Sequence, residues 1–266
     1  MTPDQITAAG AALFEAERTQ QQIGILTLQY PDMDMDDAYA IQADLCARKA
    51  AAGAKVVGWK IGLTSKAMRA ALNIDIPDSG VLFDDMQFES GAIIPKGRFI
   101  QPRIEAEIAF VMAKPLRGPG VTRDDVVAAT DYVVPALEIL DTRIQRKDVG
   151  SGAIRKIFDT ISDNAANAGI VTSADRHELA QVDLRWAGAI VSCNGEVEET
   201  GLGAGVLNDP ALAIAWLANR LGTYGQGIEA GQVVLSGSFI RPIEAPSGSE
   251  IHADFGDFGS VSCSFG

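Results

Sequence analysis

Near residue 55 the apolar residues of this chain stop recurring every three to four positions and begin to alternate, and that change of period limits what the chain can build. Upstream, residues 3–20 carry a helical stripe. A second stripe, Ala38, Ile41 and Leu45, follows "PDMDMDDAY", where Asp34 or Asp36 can cap. Downstream, "KVVGWKIGLTS" reads as a strand, "SKAMRAALNI" as a short helix, and then strands dominate: 80–83, 104–112, 132–140, 184–193, 231–236, 250–255 and 260–265. Turn-forming stretches such as "LRGPGVT", "CNGEVEETG" and "APSGSE" separate them. One more helix is expected in "LNDPALAIAWLANRLG", capped by Asp209, opened by Pro210 and closed by Gly222. The expected class is α+β, with a helical N-terminal region and the lysine strand over 1–78 and a β-rich body over 79–266, the two forming one integrated domain.

Charge and composition remove several functions. The net charge of −13 over 266 residues argues against nucleic acid and anionic membrane as partners, because both require a basic field. No apolar run reaches transmembrane length and no leader is legible, so a cytoplasmic location is expected. Cys46, Cys193 and Cys263 are odd in number and far apart, which fits core thiols better than disulfides or a zinc site.

The chemistry concentrates in three places. In "RIEAEIAF", strand alternation puts Glu105 and Glu107 on one face, a solvated acidic edge or a cation site. Glu138 lies among Val133, Val134, Ala136, Leu137, Ile139 and Leu140, where an ionised carboxylate needs either a buried Arg or Lys or a shared cation. Taken together the three glutamates favour the cation, and oxygen-only ligation suits Mg²⁺ or Mn²⁺. In "GWKIG", Lys60 shares its face with Gly58 and Gly62, so it is either a surface lysine or an amine in a slot; near a cation its pKa would fall toward neutrality. "FDTISDNAANAG" is either a capped helix start or a loop donating hydrogen bonds to a bound carboxylate. If the ligand is itself an acid, so acidic a chain must supply positive charge locally, by a metal or by a few placed Lys and Arg, and Arg69, Arg143 and Arg155 lie nearest in sequence to these groups.

"GWKIGLTSKAM", "PDSGVLFDDM", "PRIEAEIAFV", "KPLRGPGVT", "DYVVPALEILD", "FDTISDNAANAG" and "GVLNDPALAIAWLANRL" together resemble the hydratase/decarboxylase branch of the fumarylacetoacetate hydrolase superfamily, in order over nearly the whole chain. The resemblance implies a mixed β-roll and a homo-oligomer that often reaches a decamer. It also implies Mg²⁺ held by Glu105, Glu107 and Glu138, catalytic roles for Lys60 and Asp78, and a substrate contact by Ser162. The implied activity is hydration of an unsaturated 2-oxo diacid such as 2-hydroxyhepta-2,4-dienedioate; the alternatives are decarboxylation of 2-oxo-3-hexenedioate and hydration of 2-hydroxypenta-2,4-dienoate. A non-catalytic metal or oxo-acid binding protein is the rival from another class, but it has no need of the lysine slot. Two departures matter. Trp59 stands where the resemblance leads one to expect His or Tyr, although alternation turns it away from Lys60, and there is no histidine before His177 to form the water-activating pair of the hydrolytic members.

Overall fold

A computed structural model describes residues 1–72 and 74–266. The elements in order are α1 (Pro3–Thr19), α2 (Leu26–Gln29), α3 (Met35–Ala51), β1 (Val56–Gly62), α4 (Lys66–Leu72), β2 (Asp78–Phe83), β3 (Gln87–Glu89), β4 (Ala92–Ile94), β5 (Arg103–Met112) and α5 (Arg123–Ala129). They continue with β6 (Thr130–Leu140), α6 (Ile157–Ser162), β7 (Asn167–Thr172), β8 (Gly188–Cys193), β9 (Glu196–Leu202), α7 (Pro210–Thr223), β10 (Val233–Leu235), β11 (Ile243–Glu244), β12 (Glu250–Asp254) and β13 (Ser260–Phe265). Asn73, at the end of the short helix expected after the lysine strand, lies outside the described residues.

The N-terminal helices form where the sequence supplies caps. Thr2 and Gln5 make a reciprocal capping box on α1, and Asp34 and Asp37 make another on α3, each satisfying backbone donors that a helix start leaves unpaired. Their apolar stripes meet: Leu13, Leu26, Ile41 and Leu45 pack with Ile144 and Ile161 of the body in one buried cluster. Each such side chain contributes about 1.5–3 kcal/mol on burial.

The strands form two mixed sheets. The larger runs β2-β1-β10-β5-β6-β7-β3, with β11 also on β5; the smaller runs β4-β13-β12-β8-β9. Pairing is antiparallel except at β1/β10, β3/β7 and β4/β13. β5 is thus a central strand, which excludes the solvated-edge reading of Glu105 and Glu107: the strand has β10 on one side and β6 on the other. Ile104, Ala106, Ile108 and Phe110 on its opposite face join the main core with the apolar face of α7.

Three local expectations change. "CNGEVEETG" is a hairpin: Asn194 and Gly195 both take positive φ (53° and 84°), the turn that suits a tight hairpin, and the polar residues after them form β9. Gly222 does not end α7; the helix runs on to Thr223, and a Cβ at Gly222 would lie 2.6 Å from the Gly118 carbonyl carbon, so the glycine serves close packing. The strands 87–89, 92–94, 167–172 and 243–244 are too short or too polar in pattern to have been visible. The three cysteines are free, Cys263 buried and the others half-buried. Among the described residues no helix is long and apolar enough to cross a membrane.

Candidate active site

Register puts the acids together. On the antiparallel β5/β6 pair Glu105 stands opposite Glu138 and Glu107 opposite Ala136, so the three carboxylates share one patch of sheet. One oxygen from each lies within 4.8 Å of the others. Glu107 and Glu138 are fully buried. Glu107 Oε2 accepts a hydrogen bond from the Gly237 amide (2.7 Å), while Glu107 Oε1 and both oxygens of Glu138 have no hydrogen-bond partner. Gly237 can hold that position because its φ is +112° and a Cβ there would strike Thr64.

Lys60 arrives from β1, whose other neighbour β2 brings Gly80 opposite it and Asp78 opposite Gly62. Its Nζ is 3.4 Å from Glu138 Oε1, an ion pair without hydrogen-bond alignment. The two glycines flanking the lysine act differently. A Cβ on Gly62 would fall 2.1 Å from Asp78 Oδ1 and 3.1 Å from Lys60 Nζ, so Gly62 opens the space where those two groups converge. A Cβ on Gly58 would instead meet the Val233 carbonyl oxygen, so Gly58 serves strand packing. Gly80, which the sequence reading passed over, matters as well: a Cβ there would press on the Asn164 carbonyl and on Lys60 Cγ (3.2 Å). Trp59 does turn away, packing among apolar residues and donating its Nε1–H to Gln232.

The electrostatics are those of too many acids for one base. Burial, then repulsion from Glu138, pushes Glu105 up to about 8; burial and the other two acids carry Glu107 well above the carboxylate range, and burial raises Glu138 against the pull of Lys60. Asp78 is raised by burial despite Lys60 and the Gly62 backbone. For Lys60 burial works downward, but Glu138, Asp78, Glu105 and Glu107 more than reverse it, and its pKa lies above the ordinary lysine range. The expected lowering supposed a cation beside the amine; the carboxylates themselves pull the other way. A hard divalent cation fits this donor set, since it would pair the partnerless oxygens of Glu107 and Glu138 and reduce the excess negative charge.

Of these groups Lys60, Asp78 and Glu105 line a cleft of about 660 Å³ whose walls also include Leu63, Thr64, Ile157, Thr160 and Phe239. Arg155 lines it. Arg143 does not: its guanidinium is buried on Asp163 and on the Asn167 carbonyl, a structural tie, and Arg69 is bonded to the Leu63 and Thr64 carbonyls. Sequence proximity missed Arg103, Arg146 and Arg241, which reach the cleft from the start of β5 and from two loops; the alternation that placed Glu105 would have placed Arg103 on the same face. Ser162 does not line the cleft. It is fully buried in α6 and its hydroxyl donates to the Phe158 carbonyl (2.8 Å). In "FDTISDNAANAG" the first five residues belong to α6, with Asp159 capping it and also accepting from Thr27, while Ala165 and Ala166 beyond the helix line the cleft.

No family model matches the chain, but individual proteins do. It is 51% identical over 259 residues to 2-oxo-hept-4-ene-1,7-dioate hydratase of Escherichia coli, covering 97% of each chain. It superposes on 4-oxalocrotonate decarboxylase from Pseudomonas putida G7, solved with magnesium and adipate, with a TM-score of 0.92 at 36% identity over 100% of this chain and 98% of that one. Fumarylpyruvate hydrolase from Pseudomonas aeruginosa shares the fold alone, with a TM-score of 0.58 at 11% identity over 78% of this chain and 88% of that one.

Proposed function

From the premise that the chain belongs to the hydratase/decarboxylase branch of the fumarylacetoacetate hydrolase superfamily, we propose that it is a divalent-metal-dependent hydro-lyase. Its substrate is 2-hydroxyhepta-2,4-dienedioate, the enol of 2-oxohept-4-ene-1,7-dioate, and its product is 4-hydroxy-2-oxoheptanedioate, in the breakdown of homoprotocatechuate. The observation that carries this is the patch of Glu105, Glu107 and Glu138 with the Lys60 ammonium 3.4 Å from Glu138, where Lys60 and Glu105 open onto a cleft large enough for a small diacid.

Glu105, Glu107 and Glu138 would hold the cation, Mg²⁺ in preference to Mn²⁺, and when bound it supplies Lewis acidity at the oxo-acid end of the substrate. The remaining work is proton movement by the chain. Lys60 and Asp78 converge over Gly62, one a donor and the other a carboxylate whose pKa burial has raised, so a proton can pass between them and the substrate. Loss of the C2 hydroxyl proton and protonation at C5 convert the dienol to the conjugated 2-oxo-3-ene; water adds at C4 and gives up a proton, and C3 receives one. The net change is one water.

Incubation of the purified protein and Mg²⁺ with enzymatically generated 2-hydroxyhepta-2,4-dienedioate, followed by mass analysis, tests the reading. Gain of one water with all carbons retained supports it. Release of CO₂ from this substrate or its one-carbon-shorter analogue makes the enzyme a decarboxylase instead.

The protein acts as a homo-oligomer, a decamer in the fullest form. The smaller sheet leaves Ile93, Ile190 and Val197 at 74%, 52% and 63% exposure, apolar surface that a second copy would cover. Light scattering on the purified protein tests this, and a monomer overturns it.

A further inference from the structure

The basic wall of the cleft is under-compensated, and that imbalance identifies what sits against it. A chain of net charge −13 gathers Arg103, Arg146, Arg155, Lys156 and Arg241 along the same cleft that holds Glu105 and Lys60. Their counterions are few. Glu244, largely exposed, serves both Arg146 (2.7 Å) and Arg103 (4.0 Å), and Arg241 is paired with Glu199 at the surface. The Nε–H groups of Arg103 and Arg146 are buried without a hydrogen-bond partner. Arg155, half-buried, donates to the neutral Thr142 hydroxyl (2.6 Å), and among the described residues no carboxylate forms an ion pair with it. Burial holds Arg155 below the ordinary arginine range, with Arg103, Arg146 and Arg143 adding to the effect against the pull of Asp163.

The spacing suits a diacid. Arg103, Glu105 and Glu107 share one face of β5, and two residues along a strand advance about 7 Å. An extended seven-carbon chain spans roughly 7–8 Å at about 1.5 Å per carbon–carbon bond. A substrate whose oxo-acid end lies at the three glutamates therefore brings its far carboxylate within reach of Arg103, and Arg155 lines the same cleft. Arg146 is engaged by Glu244 and the Gln101 carbonyl, Arg241 is 81% exposed and Lys156 is exposed as well, which leaves Arg155 and Arg103 as the half-buried guanidinium groups with donors to give.

We propose that Arg155, with Arg103 beside it, binds the distal carboxylate of the substrate and so sets the preference for dicarboxylic over monocarboxylic 2-oxo-enoates. This rests on the hydratase reading above for the orientation of the substrate. The planar fork of an arginine meets a carboxylate with two hydrogen bonds, and a substrate lacking that group leaves the guanidinium partly buried and unpaired.

The test compares wild type, Arg155→Gln and Arg155→Lys on 2-hydroxyhepta-2,4-dienedioate and 2-hydroxypenta-2,4-dienoate, with calorimetric binding of 2-oxoheptanedioate and 2-oxoheptanoate in Mg²⁺ as the second readout. Wild type is expected to prefer the diacid, and Arg155→Gln to lower the diacid-to-monoacid ratio of kcat/KM and of affinity by roughly 10- to 100-fold, with Arg155→Lys between. Equal treatment of the two acids by wild type, or an unchanged ratio in Arg155→Gln, overturns the proposal. Turnover of neither substrate by wild type would remove the hydratase reading, and the calorimetric ratio would then decide the role of Arg155 by itself.

Discussion

Replacing Lys60 by methionine keeps most of the side-chain volume and removes the charge, and the two consequences separate. At 3.4 Å from Glu138 Oε1 the ammonium contributes a Coulomb attraction of about 5 kcal/mol at an effective dielectric of about 20. Desolvation of both ions offsets part of this, and deleting one member of such a buried pair costs about 3–5 kcal/mol, because the other is left uncompensated. Metal-stripped Lys60→Met is therefore expected to lose that much stability in urea unfolding. In saturating Mg²⁺ the loss should shrink, since a cation bound to the wild type and the variant alike compensates the same carboxylates and the amine no longer repels it. Turnover should fall by ~10²-fold or more, the scale of a lost general acid or base, with Mg²⁺ affinity no weaker than in wild type. Normal turnover would refute the proton-moving role, and a stripped variant as stable as wild type would refute the electrostatic account of the site.

Gly62→Ala puts a methyl 2.1 Å from the present position of Asp78 Oδ1, so the carboxyl must shift; turnover is expected to fall ~10- to 100-fold in steady-state assays with Mg²⁺ binding retained. Arg143→Met leaves Asp163 buried without its partner and should cost about 3–5 kcal/mol in denaturant unfolding. A carboxyl raised on folding holds its proton more tightly in the native state, so the stability that protonated Glu105 contributes is fully present below its unfolded pKa of 4.5 and drains as pH rises toward about 8. Metal-stripped protein should therefore lose stability over that window in pH-dependent unfolding, and Mg²⁺ should reduce the loss.

How far the site was legible depended on whether neighbours in space were neighbours in sequence. Glu105 and Glu107 were, because a strand's period of two places both on one face whatever the fold around it. Glu138 showed itself only as a charge in an apolar run; that it stands opposite Glu105 is a matter of β5/β6 register. Lys60 reaches these acids because β1 lies parallel to β10 and β10 lies on β5, a non-local pairing that no local pattern encodes. The distal cations were legible only in part. Acidity of the chain implied that some cation must be present, and nearness in sequence named Arg155, which lines the cleft, together with Arg143, which closes a buried tie with Asp163, and Arg69; it passed over Arg103 and Arg146, which the fold delivers. Glu196–Leu202 was invisible as a strand because its side chains are mostly exposed, and only the Asn-Gly turn before it signals a hairpin.

The central claim is that Glu105, Glu107 and Glu138 bind one divalent cation together. Calorimetric titration of Mg²⁺ into metal-stripped wild type and into Glu105→Gln, Glu107→Gln and Glu138→Gln measures it most directly, because each substitution removes an anionic ligand with little change of volume. Wild type should bind one Mg²⁺ per chain with release of protons, and each variant should bind about 100-fold more weakly while remaining folded. Mg²⁺ binding at wild-type affinity in any of the three would contradict the account.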